Sequence, residues 1–225
     1  MTGRVVAIDG PAGAGKTTVA LALAARLGLP HLDTGAMYRA ITLKALRTGT
    51  PTDDGPSLER LCETTDIAVQ DGRVLLDGEV VTAEIRSAAV TAAVSSVSAV
   101  PGLRARMVAH QRRLVAAEGA VVEGRDIGTV VLPDADLKVY LTASPEARAG
   151  RRAAELQAAG GRRSADEILI EILARDGLDS SRTASPLAVA PGAVVVDSTD
   201  RSVEEVVDHI LAMLEAGASG DGGRR

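Results

Sequence analysis

The sequence predicts an α/β fold: a parallel central sheet flanked by helices, carrying a small antiparallel β insert. Three observations predict it. Short apolar runs recur without polar alternation, the pattern of strands buried on both faces. Segments of helical periodicity separate those runs. Residues 66–82 break the rhythm with short β-rich runs spaced by Asp-Gly pairs, which is tight-hairpin chemistry.

Val5-Val6-Ala7-Ile8 is the first strand. After a glycine-rich loop, Ala20, Leu23, Ala24 and Leu27 recur at helical spacing, and Gly28 closes that helix. Ala120-Val121-Val122, Leu137 to Leu141 and Val194-Val195-Val196 read as further core strands. Ser144-Pro145 places an N-cap before a proline at the first helical position. Ser164 with Glu167, and Ser202 with Glu205, have capping-box spacing. The last helix aligns Val203, Val206, Val207, Ile210, Leu211 and Leu214, and Gly217 is expected to end it before a disordered tail over 217–225. Ile67–Val69, Val74–Leu76 and Val80-Val81, separated by Asp71-Gly72 and Asp77-Gly78, predict the inserted meander.

The chain has 225 residues, 46% of them apolar and 24% charged, which fits one globular domain. Tyr38 and Tyr140 stand without any Phe or Trp. That argues against nucleic-acid binding by stacking, and the net charge of −5 argues against a broad phosphate-backbone footprint. Cys62 is the single cysteine and reads as a small apolar packing residue in a reducing compartment. No signal-peptide pattern or membrane-spanning run is evident, so a cytoplasmic protein without a membrane partner is expected.

The loop carries the chemistry. Gly10, Pro11, Ala12, Gly13, Ala14, Gly15, Lys16 and Thr17, followed by Thr18, form Gly-x-x-x-x-Gly-Lys-Thr between a strand and a helix, so the fold class narrows to a P-loop three-layer fold. Glycines let backbone N–H groups turn towards phosphate oxygens, and the helix start adds its positive dipole end. Lys16 should reach the terminal phosphates of ATP. The Thr17 hydroxyl is the candidate Mg²⁺ ligand, an oxygen donor for a hard cation.

Three arginine-bearing clusters point to a small anionic acceptor: residues 33–39, Glu123-Gly124-Arg125-Asp126, and Arg175-Asp176 with Asp179 and Arg182. The second follows a predicted strand directly, where parallel sheets form their ligand crevice. The phosphate loop, Leu32-Asp-Thr-Gly-Ala-Met-Tyr-Arg39, Gly124-Arg-Asp-Ile-Gly-Thr129 and Arg182-Thr-Ala-Ser-Pro-Leu187 together resemble the bacterial cytidylate kinases, P-loop nucleoside monophosphate kinases that phosphorylate CMP and dCMP. The similarity runs in order from about residue 4 to 215.

The resemblance implies one P-loop kinase domain over 1–225. It has a core at 4–60 and 116–216, a monophosphate-binding insert at about 61–115 and a lid at about 150–165. It implies that Arg39, Arg125 and Arg182 hold the acceptor phosphate, that Ser95, Arg104 and Asp126 read cytosine, and that Tyr38, Arg175 and Asp179 contact the sugar. Thr34 is implied in CMP binding too, and stands where serine is commoner. Lys16, Asp33, Arg125 and Arg182 are the implied catalytic set, with ATP and Mg²⁺ as donor and metal. The protein is expected to act as a monomer on small molecules.

Other readings of single residues stay open. Asp33 is a helix cap or part of the magnesium shell. Arg104 is a site residue or an exposed helix charge. Arg175, Asp179 and Arg182, at i, i+4 and i+7, also suit a salt-bridged helix face. Arg148, Arg151 and Arg152 form a basic helix face, of which Arg151 and Arg152 are assigned to ATP. Asp197-Ser198-Thr199 is a candidate adenine-side contact. A kinase of another small anionic acceptor is the alternative function.

Overall fold

The computed structural model describes residues 3–220 apart from 71, 117, 159, 161, 162 and 182–185. In chain order the elements are β1 (Val5–Asp9), α1 (Lys16–Leu27), β2 (His31–Asp33), α2 (Thr34–Thr48), α3 (Gly55–Glu63), β3 (Ile67–Gln70), β4 (Arg73–Leu76), β5 (Glu79–Val80), a 3-10 turn (Glu84–Arg86), α4 (Ala88–Ala99), α5 (Pro101–Val115), β6 (Ala120–Gly124), a π-helical turn (Ile127–Val131), β7 (Leu137–Thr142), α6 (Pro145–Ala158), α7 (Ala165–Ser181), β8 (Val194–Asp197) and α8 (Val203–Gly220).

The main sheet has the order β2-β6-β1-β7-β8, and every pairing is parallel. β1 lies in the middle, so its side chains feed both faces. Ala7 packs with Val122 in one apolar cluster, under α2 to α5 and the meander. Val6 and Ile8 pack with Val121, Val139 and Leu141 in the other, under α1 and α8. Each such aliphatic side chain contributes about 1.5–3 kcal/mol on burial, which is how a core almost free of aromatics suffices. Because all strands run one way, Asp9, Gly124 and Tyr140 come into register at one rim: Asp9 pairs with both of the others.

β3, β4 and β5 form the expected antiparallel meander; Asp71 lies outside the described residues. The capping boxes form. Glu167 N donates to Ser164 Oγ at 3.2 Å and Glu205 N to Ser202 Oγ at 3.2 Å. Ser144 caps α6 through the Ala147 amide at 3.2 Å. α6 and α7 pack through Ala149, Ile168 and Ile172; more than half of the span read as a lid, about 150–165, is the body of α6.

One strand is added and one expectation corrected. His-Leu-Asp, with one apolar residue in three, carries no strand periodicity, yet β2 forms. Gly217 does not end α8, which continues to Gly220. Gly28 stops α1 by adopting φ +63° and closing the last turn onto Ala24 and Ala25, whereas Gly217 lies inside α8. A glycine in helical φ/ψ costs about 1 kcal/mol but does not terminate the helix. Residues 221–225 lie outside the described set. No single helix among the described residues is long and apolar enough to cross a membrane.

Candidate active site

The phosphate loop bridges β1 and α1 at the carboxyl rim of the sheet. A side chain at Gly10 would put its Cβ 2.0 Å from the Leu141 carbonyl oxygen; only glycine lets the loop leave β1 there. Gly15 takes φ +85° to launch α1, a conformation with little steric cost for glycine. Lys16 is buried and donates to the Pro11 carbonyl at 2.8 Å. Burial, then the nearby Arg125, pulls its ammonium well below the usual lysine range, against the carboxylates of Glu123, Asp9 and Asp33.

Two residues from remote elements brace the loop, and a third holds one of them in place. Arg148, 4% exposed, donates to the Ala12 carbonyl at 3.0 Å, to the Ala143 carbonyl at 3.1 Å and to Asp176 of α7 at 2.6 Å. It is therefore a buried tie between the loop and the α6–α7 pair, not part of a solvated basic face. Ser198 donates to the Ala14 carbonyl at 3.2 Å, and Arg151 donates to Ser198 Oγ at 3.1 Å and the Thr199 carbonyl at 3.2 Å. Arg152 pairs with Glu155 at 2.9 Å. The loop, Arg151, Arg152 and Ser198 line a cavity of about 1130 Å³ that also reaches Asp33, Arg39 and Arg125.

A smaller hollow of about 80 Å³ adjoins it, lined by Thr34, Tyr38, Arg39, Ser98, Arg104, Arg125 and Asp126 among others. Arg39 and Arg125 belong to both spaces. Arg39 donates to Thr91 Oγ1 at 2.9 Å and the Ile85 carbonyl at 3.2 Å. Burial lowers the Arg125 guanidinium, and Asp176, Glu123, Asp9 and Asp33 pull it back up. Arg104 is buried, ruling out an exposed helix charge. It is ion-paired with the buried Asp126, donates to the Ser98 carbonyl at 2.9 Å and lies 5.3 Å over the Tyr38 ring. Its Nε is buried without a hydrogen-bond partner among the described residues.

Ser95 is not a lining residue of either space; its carbonyl accepts from Ser98 Oγ at 3.2 Å, and Ser98, one turn on, lines the hollow. Arg182 lies outside the described residues, as do the side chains of Arg175 and Asp179, whose backbones sit in α7.

Asp33 is a cap: its Oδ1 accepts from the Ala36 amide at 2.9 Å. It also lines the large cavity, where burial and then Glu123 raise its pKa. The acceptor of the Thr17 hydroxyl is Glu123, at 3.0 Å, whose other carboxylate oxygen lies 3.0 Å from His31 Nε2. With its proton given to Glu123, the Thr17 oxygen keeps lone pairs for a cation. Among the described residues no group of three or more His, Cys, Asp and Glu could hold a metal alone. A Mg²⁺ that takes most ligands from phosphate and water needs none. The hydroxyl and neighbouring carboxylates are all-oxygen chemistry, and they fit it.

Glu123, His31, Arg148 and Asp9 carry roles that the sequence alone does not assign. The available signal was a charged residue closing an apolar strand, as Asp9 and Glu123 do, since a buried carboxylate requires partners.

Residues 6–216 match the sequence pattern of cytidylate kinase. The chain belongs to the cytidylate kinase family. Among its relatives, a cytidylate kinase of Pelotomaculum thermopropionicum is 51% identical over 217 residues, covering 94% of this chain and 96% of that one. A cytidylate kinase of Mycobacterium avium is 50% identical over 215 residues, covering 93% and 94%. A gluconokinase structure from Sinorhizobium meliloti has a TM-score of 0.51 at 17% identity, covering 98% of this chain and 96% of that one; it shares the fold alone. Family membership agrees with a phosphate loop facing a second, arginine-rimmed hollow.

Proposed function

We propose that this protein transfers the γ-phosphate of ATP to CMP or dCMP, giving CDP or dCDP and ADP. The observation that carries the reading is the Arg104–Asp126 pair beside Tyr38, in the hollow next to the phosphate loop. Cytosine presents an exocyclic amine beside ring acceptors. Asp126 accepts from the amine while Arg104 donates to the acceptors. Uracil would set a carbonyl against Asp126, so rejection comes from acceptor facing acceptor.

An acceptor phosphate with a second pKa near about 6 needs no protein base at neutral pH. One of its oxygens attacks the γ-phosphorus as the bond to the β,γ-bridging oxygen breaks, and ADP leaves. The protein must bring two polyanions together and stabilise the transferring charge. Arg39 and Arg125 stand where both spaces meet, suited to hold the acceptor phosphate with paired donors, with Arg182 joining them. Lys16 addresses the terminal phosphates of ATP. Mg²⁺, held through Thr17 beside Glu123 and Asp33, would neutralise phosphate charge. Arg151 and Arg152 would close on ATP, and Tyr38, Arg175 and Asp179 would contact the sugar. A cytoplasmic monomer acting on small molecules, without nucleic acid or membrane partner, belongs to the same reading; the acidic net charge supports it.

A coupled assay over CMP, dCMP, UMP, AMP and shikimate tests it. Turnover confined to CMP and dCMP is expected. Equal use of AMP would sink the cytidine reading and favour a kinase of another small anionic acceptor.

A further inference from the structure

Asp9 closes the central strand, one residue before the phosphate loop, and is 3% exposed. Its two carboxylate oxygens accept from the consecutive amides of Ile127 and Gly128, at 2.8 and 2.7 Å. Those amides open the π-helical turn, and the first amides of any helical turn lack internal partners. Asp126 sits at the N-cap position of that turn, yet its side chain makes no cap bond. It is turned into the hollow against Arg104, while its carbonyl accepts from Val130 and Val131. Asp9 thus supplies from another strand the cap that Asp126 does not.

We propose that Asp9 is a positioning residue for acceptor recognition. By capping the turn in place of Asp126 it frees and aims the Asp126 carboxylate, and it ties the root of the phosphate loop to the hollow. The inference rests on the cytidine reading of that hollow. A carboxylate suits this role because one side chain satisfies two amides, and its charge complements the positive end of the turn. The groups that act on it electrostatically are Asp126 on the turn, Lys16 on the loop, Arg125 between them and Tyr140 on the adjacent strand. Burial, and to a lesser degree Asp126, raises its pKa to about 6, against the two amide bonds and Lys16. A protonated carboxyl keeps one good acceptor, so one cap bond weakens as pH falls through that value.

The test uses Asp9→Asn and Asp9→Ala in the full chain. Asn keeps the size but sets an amide N–H against a backbone N–H. The KM for CMP is expected to rise about 10-fold or more, as for loss of a charge-assisted hydrogen bond. The Kd for ATP, measured without CMP, should stay within about 2-fold of wild type, a split that general loosening would not produce. An equal loss for both nucleotides, or none, overturns the proposal. In the nucleotide-free wild type, the Ile127 and Gly128 amide resonances should titrate together with a midpoint near about 6, while the Ala147 amide, capped by Ser144, stays flat. If neither amide responds to any titration between about pH 3 and 8, the cap is absent and the proposal is overturned, even if the variants do not fold; a midpoint other than about 6 leaves the cap in place. A wild type that turns over no CMP instead defeats the functional reading itself.

Discussion

The phosphate loop and the hollow proposed for the acceptor sit side by side but are built differently. The loop is one stretch of chain whose shape comes from its own glycines and the helix start, with remote residues added as braces. The hollow has no local identity. Thr34 and Tyr38 come from α2, Ser98 from α4, Arg104 from α5, and Arg125 and Asp126 from the rim of β6. Its central feature is a buried ion pair between residues 22 positions apart. A local motif tolerates change in its surroundings; an assembled site depends on every element that brings its parts together. Damage to the loop should therefore fall on ATP and the chemical step, and damage to the hollow on the acceptor.

The largest effect expected is from Lys16→Ala. If Lys16 addresses the terminal phosphates as proposed, its removal should lower kcat about 10³-fold, with CMP binding nearly unchanged; a comparable loss of CMP affinity by calorimetry would break the division between the two regions. Next is Asp126→Ala, which leaves Arg104 buried and unpaired. Breaking such a pair costs about 3–5 kcal/mol of stability, so Tm should fall; losing the acceptor for the cytosine amine should raise the KM for CMP about 10²-fold, and ATP binding should hold. Unchanged CMP kinetics would refute the base-reading role.

Asp9 joins the two regions and offers a sharper probe. Its folded pKa of about 6 lies above the ordinary 3.8, so the folded protein holds this proton more tightly than the unfolded chain does. The corresponding stability is full below the unfolded value and is lost as pH rises through about 6. Asp9→Asn lacks that dependence. The stability of wild type relative to the variant should therefore fall by about 2–3 kcal/mol from pH 4 to 7, read by urea denaturation at each pH. A flat difference would remove Asp9 as a titrating link.

The smallest effect expected is from Arg148→Met. It keeps the packing but strands Asp176 and the Ala12 carbonyl, each loss worth about 1–3 kcal/mol. ATP affinity should weaken about 10-fold while CMP affinity stays put, as equilibrium dialysis with each nucleotide can show. Equal weakening of both would mean that Arg148 and Asp176 serve the whole site and not the loop.

Legibility followed the same division. Four strands of the main sheet, the meander and the capping boxes were readable because each rests on neighbours in sequence: apolar runs, Asp-Gly turns, and Ser with Glu three residues on. β2 escaped, since a three-residue strand with one apolar side chain has no period to detect. In the site, the loop was readable from spacing; the arginine clusters at 33–39 and 123–126 marked an anion site, Arg104 entered only through family resemblance, and Ser98 was missed in favour of Ser95. The roles of Glu123, His31 and Arg148 could not be read, because each depends on a partner brought close by folding. Arg148 looks like one of three helix-surface arginines until α7 and the Ala12 carbonyl are placed around it.

The linear chain was enough to establish a parallel α/β protein with a triphosphate loop, because strand burial, helix capping and loop conformation are local energies summed over neighbouring residues. The folded chain was needed to establish that Asp126 is turned away from its own helical turn towards Arg104, and that Asp9 caps that turn in its place. Those are long-range choices. They are set by the parallel register that carries Asp9 and Gly124 to the same rim, and by the cost of leaving a buried charge or amide without a partner.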